Sequence, residues 1–289
     1  MTAPPCRHPL RDDGGLALKQ FVKVVSGASQ VLSSRCRKQA EPFRTAQVPE
    51  GTRLYAVGDV HGRADLLARL FSGIDADLDA NPVPRPVQVF LGDYIDRGPD
   101  SQKVLDLLIK RSQRHETIFL KGNHEILFEN FLQNPETIAT WRRVGGIETL
   151  LSYGLRPSFK PDPAEQAALA RQLADVLPPA HRRFFECLER SFVCGDFFFV
   201  HAGVRPGVAL SQQSDEDLFW IRDKFLKSNE KFEKIIVHGH HPVTDVEFHS
   251  NRINIDTGAF ATGRLGCLKI EGDSLWPFAG TPGARRISI

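Results

Sequence analysis

The sequence predicts an α/β fold, and three features of it carry that prediction. Short apolar runs rich in β-branched and aromatic residues alternate with stretches of helical period over residues 53–125. Each run stops at a glycine or histidine and hands over to a cluster of Asp, His, Asn or Arg. Strand-like runs then resume after a long helical stretch, two of them at hairpin-like spacing, which predicts a mixed sheet in the second half.

Residues 1 to about 50 read as an arm. Lys or Arg stands at positions 7, 11, 19, 23, 35, 37, 38 and 44, against acids only at 12, 13, 41 and 50. Leu16 to Val25 has amphipathic helical spacing but is too short and charged for a secretory signal. A flexible basic extension is expected, with docking to an acidic partner as the alternative.

The domain proper, residues 51–289, opens with a strand from Arg53 to Gly58 that runs into Asp59-Val60-His61-Gly62. Ala64 to Leu78 carries apolar residues at 66, 67, 70, 71, 74 and 78, a helical period. Pro82, Pro84 and Pro86 mark a loop before a second strand, Val87 to Leu91, which ends in Gly92-Asp93-Tyr94-Ile95-Asp96-Arg97-Gly98. Ser101 to Arg111 is helical again, and Thr117 to Lys121 is a third strand leading into Gly122-Asn123-His124-Glu125. This β-α-β-α-β order predicts a parallel sheet with helices packed on it. In such sheets ligands bind at the carboxyl ends of the strands, where these polar clusters fall.

From about 126 to 190 the pattern is helical and the Asp/His clusters stop, which predicts an insertion within one domain. Pro178-Pro179 starts a helix with Phe184, Phe185 and Leu188 inward. Strands resume at Phe197–Val200, Ile235–Val237, Arg252–Ile255 and Leu265–Ile270, the last two spaced like a hairpin.

Composition narrows the function classes. With 41% hydrophobic and 25% charged residues the chain has the make-up of a soluble globular protein. A formal net charge of +2 offers no whole-chain attraction to nucleic acid or membranes. No apolar run approaches the ~20 residues needed to cross a bilayer. The five cysteines, Cys6, Cys36, Cys187, Cys194 and Cys267, are odd in number and lack paired motif spacing. Free thiols in a reducing compartment are expected, hence a cytoplasmic location. Met1 is the only methionine, so aliphatics and 20 phenylalanines must fill the core.

Five strand-end motifs collect in order: Asp59-Val60-His61, Gly92-Asp93, Gly122-Asn123-His124-Glu125, His201-Ala202-Gly203 and His238-Gly239-His240-His241. A capped helix or a satisfied histidine would explain any one of them. Five at successive strand ends point to a metal site. Carboxylate, imidazole and amide ligands without Cys suit manganese, iron or zinc and argue against a structural zinc site.

Together with Gly58 and the Asp96-Arg97-Gly98 segment, these motifs resemble the phosphoprotein phosphatase branch of the calcineurin-like metallophosphoesterases, especially its bacterial and phage-type serine/threonine phosphatases. The resemblance spans roughly Leu54 to Ile270. It implies a two-sheet sandwich flanked by helices (αββα) and two divalent metals, with manganese expected and iron or zinc as alternatives. Asp59 and His61 would hold one metal, Asp93 would bridge, and Asn123, His201 and His240 would complete the second site. His240 is preferred to His238 and His241 because the family's histidine follows a glycine and precedes an Xaa-Pro step, here His241-Pro242. Arg97, Arg222 and Asn123 match residues that contact the substrate phosphate, although an Arg222–Asp223 salt bridge would look the same in sequence. His124 and Asp96 match the proton-donor pair, and Glu125 is expected to support the site or cap its helix. Asp256-Thr257-Gly258 would be structural.

The reaction implied is in-line attack by a hydroxide held between the metals, releasing a serine or threonine that His124 protonates. The expected partner is a phosphoprotein or phosphopeptide, with neither nucleic acid nor membrane. The nearest rival is symmetrical diadenosine tetraphosphate hydrolysis by relatives that usually lack an acid at the position of Asp96. A catalytically silent binding protein predicts a broken ligand set, whereas all six positions are filled. A nuclease would need a basic track around the motifs, and none is present.

Overall fold

The computed structural model describes residues 46–278. The chain runs β1 (Thr52–Val57), α1 (Ala64–Ala80), β2 (Arg85–Phe90), α2 (Ser101–Ser112) and β3 (Glu116–Phe119), as the alternating pattern predicts. Five helices follow: α3 (Asn123–Gln133), α4 (Ile138–Arg143), α5 (Gly146–Ser152), α6 (Pro163–Val176) and α7 (Pro179–Glu186). The remainder comprises β4 (Ser191–Cys194), β5 (Phe197–Val200), α8 (Asp215–Trp220), α9 (Asp223–Leu226), β6 (Ile235–His238), β7 (Glu247–Phe248), β8 (Arg252–Asn254), α10 (Ala259–Thr262), β9 (Cys267–Glu271) and β10 (Ser274–Pro277).

These strands form two five-stranded sheets, ordered β10-β9-β1-β2-β3 and β4-β5-β6-β8-β7. β1, β2 and β3 are parallel, and so are β5, β6 and β8. Antiparallel pairs close the edges. The expected hairpin between β8 and β9 is not formed. β8 pairs with β6 and β7 in one sheet, whereas β9 pairs with β1 and β10 in the other. Spacing alone cannot show that the chain changes sheets between them by way of α10.

Each buried strand faces two cores. Leu54 and Ala56 of β1, with Val87 and Val89 of β2, point between the sheets toward Phe197, Phe199, Val237 and Ile253. Their alternates Tyr55, Val57 and Phe90 point outward under α1, α2 and the inserted helices. On the second sheet Phe198, Val200 and Ile236 face out toward Leu218, Phe219 and Phe225 of α8 and α9. Burial on both faces explains why these strands read as apolar runs with no polar face.

The inserted helices pack onto the outer face of the first sheet as part of the same core. Aromatics make much of that contact, with Phe128 stacked on Phe185 at 4.4 Å between ring centroids. Pro163 begins α6, and Asp162 and Glu165 cap each other's backbone N–H groups. Buried His181 of α7 links the Tyr153 hydroxyl (2.7 Å) to Asp106 of α2 (2.9 Å).

The predicted arm as far as residue 45 lies outside the described residues. Its last stretch is not an arm: Ala46 and Val48 are buried, so the packed chain begins before the expected boundary at 50. The Val48 N–H donates to the Gly272 carbonyl, and Gln47 exchanges two hydrogen bonds with Asp196. The segment thereby touches the β9–β10 turn of one sheet and the β4–β5 turn of the other. Cys187, Cys194 and Cys267 are free. Among the described residues no helix is long and apolar enough to cross a membrane.

Leu54 is fully buried between the sheets, and truncating it would leave a void that rigid neighbours fill only in part. Leu54→Ala is expected to lower unfolding free energy by about 2–5 kcal/mol in denaturant titration. A loss below about 1 kcal/mol would mean that the inter-sheet core is loosely packed.

Candidate metal centre

All five motifs lie where parallel strands end. Asp59 and His61 follow β1, Asp93 follows β2, Asn123 and His124 follow β3, His201 follows β5, and His240 follows β6. Packing of the sheets sets the two rows of carboxyl ends side by side. The loops then approach so closely that a Cβ on Gly122 would fall 2.2 Å from an Asp93 carboxylate oxygen. Only glycine fits there.

Asp93 is the centre of the cluster. Its Oδ2 faces His61 Nε2 at 3.5 Å and His124 Nε2 at 3.7 Å, and its Oδ1 faces His201 Nε2 at 3.4 Å. His201 Nε2 also lies 2.9 Å from Asn123 Oδ1 and 3.1 Å from His240 Nδ1. His61 Nδ1 donates to the Ile95 carbonyl and His201 Nδ1 to the Leu91 carbonyl, so in both rings the lone pair of Nε2 points into the cluster. It is His240 that meets His201. The His238 ring packs edge-on against Phe225, and His241 Nε2 contacts the Ile221 carbonyl.

Two triads each bring ligand atoms within 4.8 Å of one another: His61, Asp93 and His124, and Asp93, His201 and His240. Asp59 joins neither triad. Its carboxylate instead accepts from the His240 N–H at 3.2 Å.

Burial separates the histidines. It pushes His61 down to about 3, lowers His201, and with His201 alongside lowers His240. All three are neutral imidazoles able to bind a cation. Burial opposes the charge on His124 too, but Asp93 and Asp96 outweigh it and raise its pKa. Burial and the charges of Asp256 and Asp93 push Asp59 well above the usual carboxylate range, and burial is the first cause of the rise of Asp256 to about 6.

The calcineurin-like phosphoesterase family model matches residues 52–267, well over half of the chain. The chain belongs to that family. A zinc-dependent endopolyphosphatase of Saccharomyces cerevisiae is 30% identical over 159 residues, 52% of this chain. The chain spans about half the length of that relative, 47%. An asymmetrical bis(5'-nucleosyl)-tetraphosphatase of Bacillus thuringiensis is 28% identical over 235 residues, covering 74% of this chain and 88% of that protein. A solved cold-active protein-tyrosine phosphatase from a psychrophilic Shewanella is alike in fold, with a TM-score of 0.53 at 17% identity. That superposition covers 84% of this chain and 83% of the other.

Calcineurin-like phosphoesterases use divalent metals, and the residues here fit them. His61 Nε2 and His240 Nε2 are buried without a hydrogen-bond partner, although burying a polar atom unpaired is costly. Two further imidazole nitrogens, an amide oxygen and a carboxylate converge beside them, a hard-to-borderline donor set without thiolate.

Arg97 is half-buried, with Nη2 3.2 Å from His124 Nε2 and its guanidinium 4.8 Å from the Phe260 ring centroid. Arg222 is exposed and free of the suspected salt bridge, because Asp223 pairs with Lys227 at 2.6 Å instead. Glu125 does both things expected of it. Its carboxylate accepts from the N–H groups of Gly122, Asp93 and Tyr94, each at 2.9 Å, while burial and the Asp93 charge push its pKa up to about 8.

Three neighbours of the site escaped the sequence reading: Trp141, Thr149 and Phe260. Phe260 lies edge-on to His61 at 5.6 Å between ring centroids and is 39% exposed. No motif marks it; it lies four residues beyond Asp256.

Because Asp93 offers one oxygen to each triad, Asp93→Asn should weaken both at once. Less than half of the wild-type metal content is expected by elemental analysis after dialysis. Two tightly held metals per chain in that variant would exclude a shared role for Asp93.

Proposed function

We propose that this calcineurin-like phosphoesterase is a phosphomonoesterase acting on phosphoserine and phosphothreonine in proteins, with two divalent metals at the cluster. The contact that carries the reading is His124 Nδ1 to Asp96 Oδ2, 2.7 Å, fully buried beside the ligand set. Asp59 and His61 would hold one ion, Asn123, His201 and His240 the other, with Asp93 common to both. Bound ions supply charge neutralisation for the phosphoryl oxygens and a water of lowered pKa.

The chain's own residues do the rest. Arg97 and Arg222 would grip the phosphate by paired N–H donors. Asp96 fixes the His124 ring through Nδ1, leaving Nε2 beside Arg97 Nη2 at 3.2 Å and Asp93 Oδ2 at 3.7 Å, where the substrate phosphate would lie. In attack by water, the new P–O bond forms as the bond to the serine or threonine oxygen breaks. Nε2 gives its proton to that departing oxygen, and the products are the free hydroxyl and inorganic phosphate. A strongly basic alkoxide needs such a donor, which favours phosphoserine and phosphothreonine over substrates with easier leaving groups.

Manganese is the expected metal, and the zinc dependence of the yeast relative makes zinc the first alternative to test. The free thiols at Cys187, Cys194 and Cys267 support a reducing, cytoplasmic setting.

A second reading is hydrolysis of dinucleoside polyphosphates. It is favoured by the Bacillus relative, whose name specifies the asymmetrical reaction and not the symmetrical one weighed from sequence. Its leaving group is a phosphate, which departs readily without a strong proton donor. The His124–Asp96 pair is therefore better matched to the first reading.

Two measurements test the assignment. His124→Asn should keep its metals yet slow a phosphothreonine peptide by roughly 10²–10⁴-fold, with a much smaller loss on p-nitrophenyl phosphate. Equal losses on both would indicate a displaced site and not a missing acid. With saturating Mn²⁺, kcat/KM for the peptide should exceed that for diadenosine tetraphosphate. A preference for the dinucleotide of about a hundredfold would replace the first reading with the second.

A further inference from the structure

Asp96 has three side-chain donors around its carboxylate, and two of them come from the inserted helices. His124 Nδ1 and Trp141 Nε1 both reach Oδ2, at 2.7 and 2.8 Å, and Thr149 Oγ1 donates to Oδ1 at 2.6 Å. Asp96, Trp141, Thr149 and His124 are all buried, so water does not compete for these bonds. Thr149 also accepts from the Asp96 N–H at 2.9 Å and lies 3.0 Å from Ser101 Oγ, itself 3.1 Å from that N–H. The backbone bond is needed because Asp96 sits at φ 71°, a left-handed conformation that costs a non-glycine residue energy.

We infer that Trp141 of α4 and Thr149 of α5 are positioning residues for the proton donor. They hold the Asp96 carboxylate in the one orientation that engages His124 Nδ1. The inference rests on the reading of His124 as the acid. It gives the inserted helices a part in the chemistry, beyond forming a wall of the site.

The local packing is built around this contact. A carboxylate with a free χ2 could rotate away from the imidazole. Donors on both oxygens, fixed to two different helices, prevent that rotation. Trp141 is itself held against Phe131 at 5.1 Å and Phe128 at 5.7 Å between ring centroids. A Cβ at Gly146, the first residue of α5, would come within 2.4 Å of the indole, so that glycine is what lets the ring lie there. The adjacent Gly145 carbonyl accepts from the Arg97 N–H at 3.1 Å, which places the same turn against the phosphate-gripping arginine.

A tryptophan that merely fills the core would affect stability and every substrate alike. A positioning residue would affect the substrate that needs a proton. The test is therefore kcat and KM for Trp141→Phe, Thr149→Val and Thr149→Ser, on a phosphothreonine peptide and on p-nitrophenyl phosphate at saturating Mn²⁺. Metal content and thermal midpoint are recorded for each, with His124→Asn as the reference. Trp141→Phe and Thr149→Val are expected to lower kcat on the peptide by about 10–100-fold, with little change in KM or metal content. The loss on p-nitrophenyl phosphate should be several-fold smaller, and Thr149→Ser should recover most of the peptide activity.

Equal losses on the two substrates overturn the proposal, as does unchanged peptide turnover or a Thr149→Ser no better than Thr149→Val. If Trp141→Phe fails to fold, the Thr149 pair decides alone, since valine keeps the shape and serine keeps the hydroxyl. Selectivity in His124→Asn without selectivity in Thr149→Val removes the positioning role only. Its absence in His124→Asn itself removes the acid assignment and this inference with it.

Discussion

Five non-glycine residues among those described hold positive φ angles: His61, Asp93, Asp96, Arg97 and His240. Every one belongs to the candidate site. Such conformations cost of order 1 kcal/mol or more each and persist only where surroundings impose them. Here the imposition can be read bond by bond. The His61 N–H donates to the Asp93 carbonyl, Asp93 to Glu125, Asp96 to Ser101 and Thr149, Arg97 to the Gly145 carbonyl, and His240 to Asp59. Each strained residue is thus tied to a different segment of chain. The loops hold one another in place, and the two sheets supply the frame that brings them together.

The same frame concentrates negative charge out of water. Asp59, Asp93, Asp256 and Glu125 are all buried within one cluster. Asp93 is offset by the histidines around it, whereas Glu125, even with three backbone donors, is pushed toward the protonated form by burial and the Asp93 charge. Asp59 and Asp256 have no comparable compensation; burial drives both toward the protonated form. A cation would reverse that balance, because it favours the carboxylate and accepts the imidazole lone pairs now without partners. Geometry that is costly without the metal is thereby ready for it, and metal binding and stability are linked through the same residues.

How legible this was in the sequence follows from the distance over which each signal acts. The strand-end motifs were visible because a strand, its turn and the polar residues after it are contiguous. The parallel order of β1, β2 and β3 follows from that local grammar, whereas the grouping of Asp93 with His201 and His240 is what the family resemblance implies. β8 and β9 were misread because pairing is decided by which sheet has a free edge, and spacing carries no information about that. Residues 46–48 depart from the expected arm for a related reason. Their basic neighbours suggested solvent, but Ala46 and Val48 are apolar residues with a place between two turns. Trp141 and Thr149 lie 45 and 53 residues from Asp96, in helices whose pattern is ordinary core packing. Nothing in that pattern says that an indole N–H meets a carboxylate.

The division between the halves of the site bears on how one scaffold serves different phosphoesters. In the proposed function the cluster around Asp93 would act on the phosphoryl group, which is common to a phosphothreonine and a dinucleoside polyphosphate. Substrates differ in what leaves, and in that proposal the leaving side would be where Asp96, His124, Trp141 and Thr149 meet. Phe260 and Arg222 are the more exposed residues here, with Phe260 lying against Arg97 and His61. A change of substrate would therefore cost least if made at Phe260 or Arg222, leaving untouched the strained residues and the inserted helices that hold Asp96 and Arg97. Asp93 accepts the His124 N–H and Asp59 the His240 N–H, so altering either releases a neighbour. Variation at the exposed Phe260 and Arg222 would leave those bonds, and the strand-end motifs, intact.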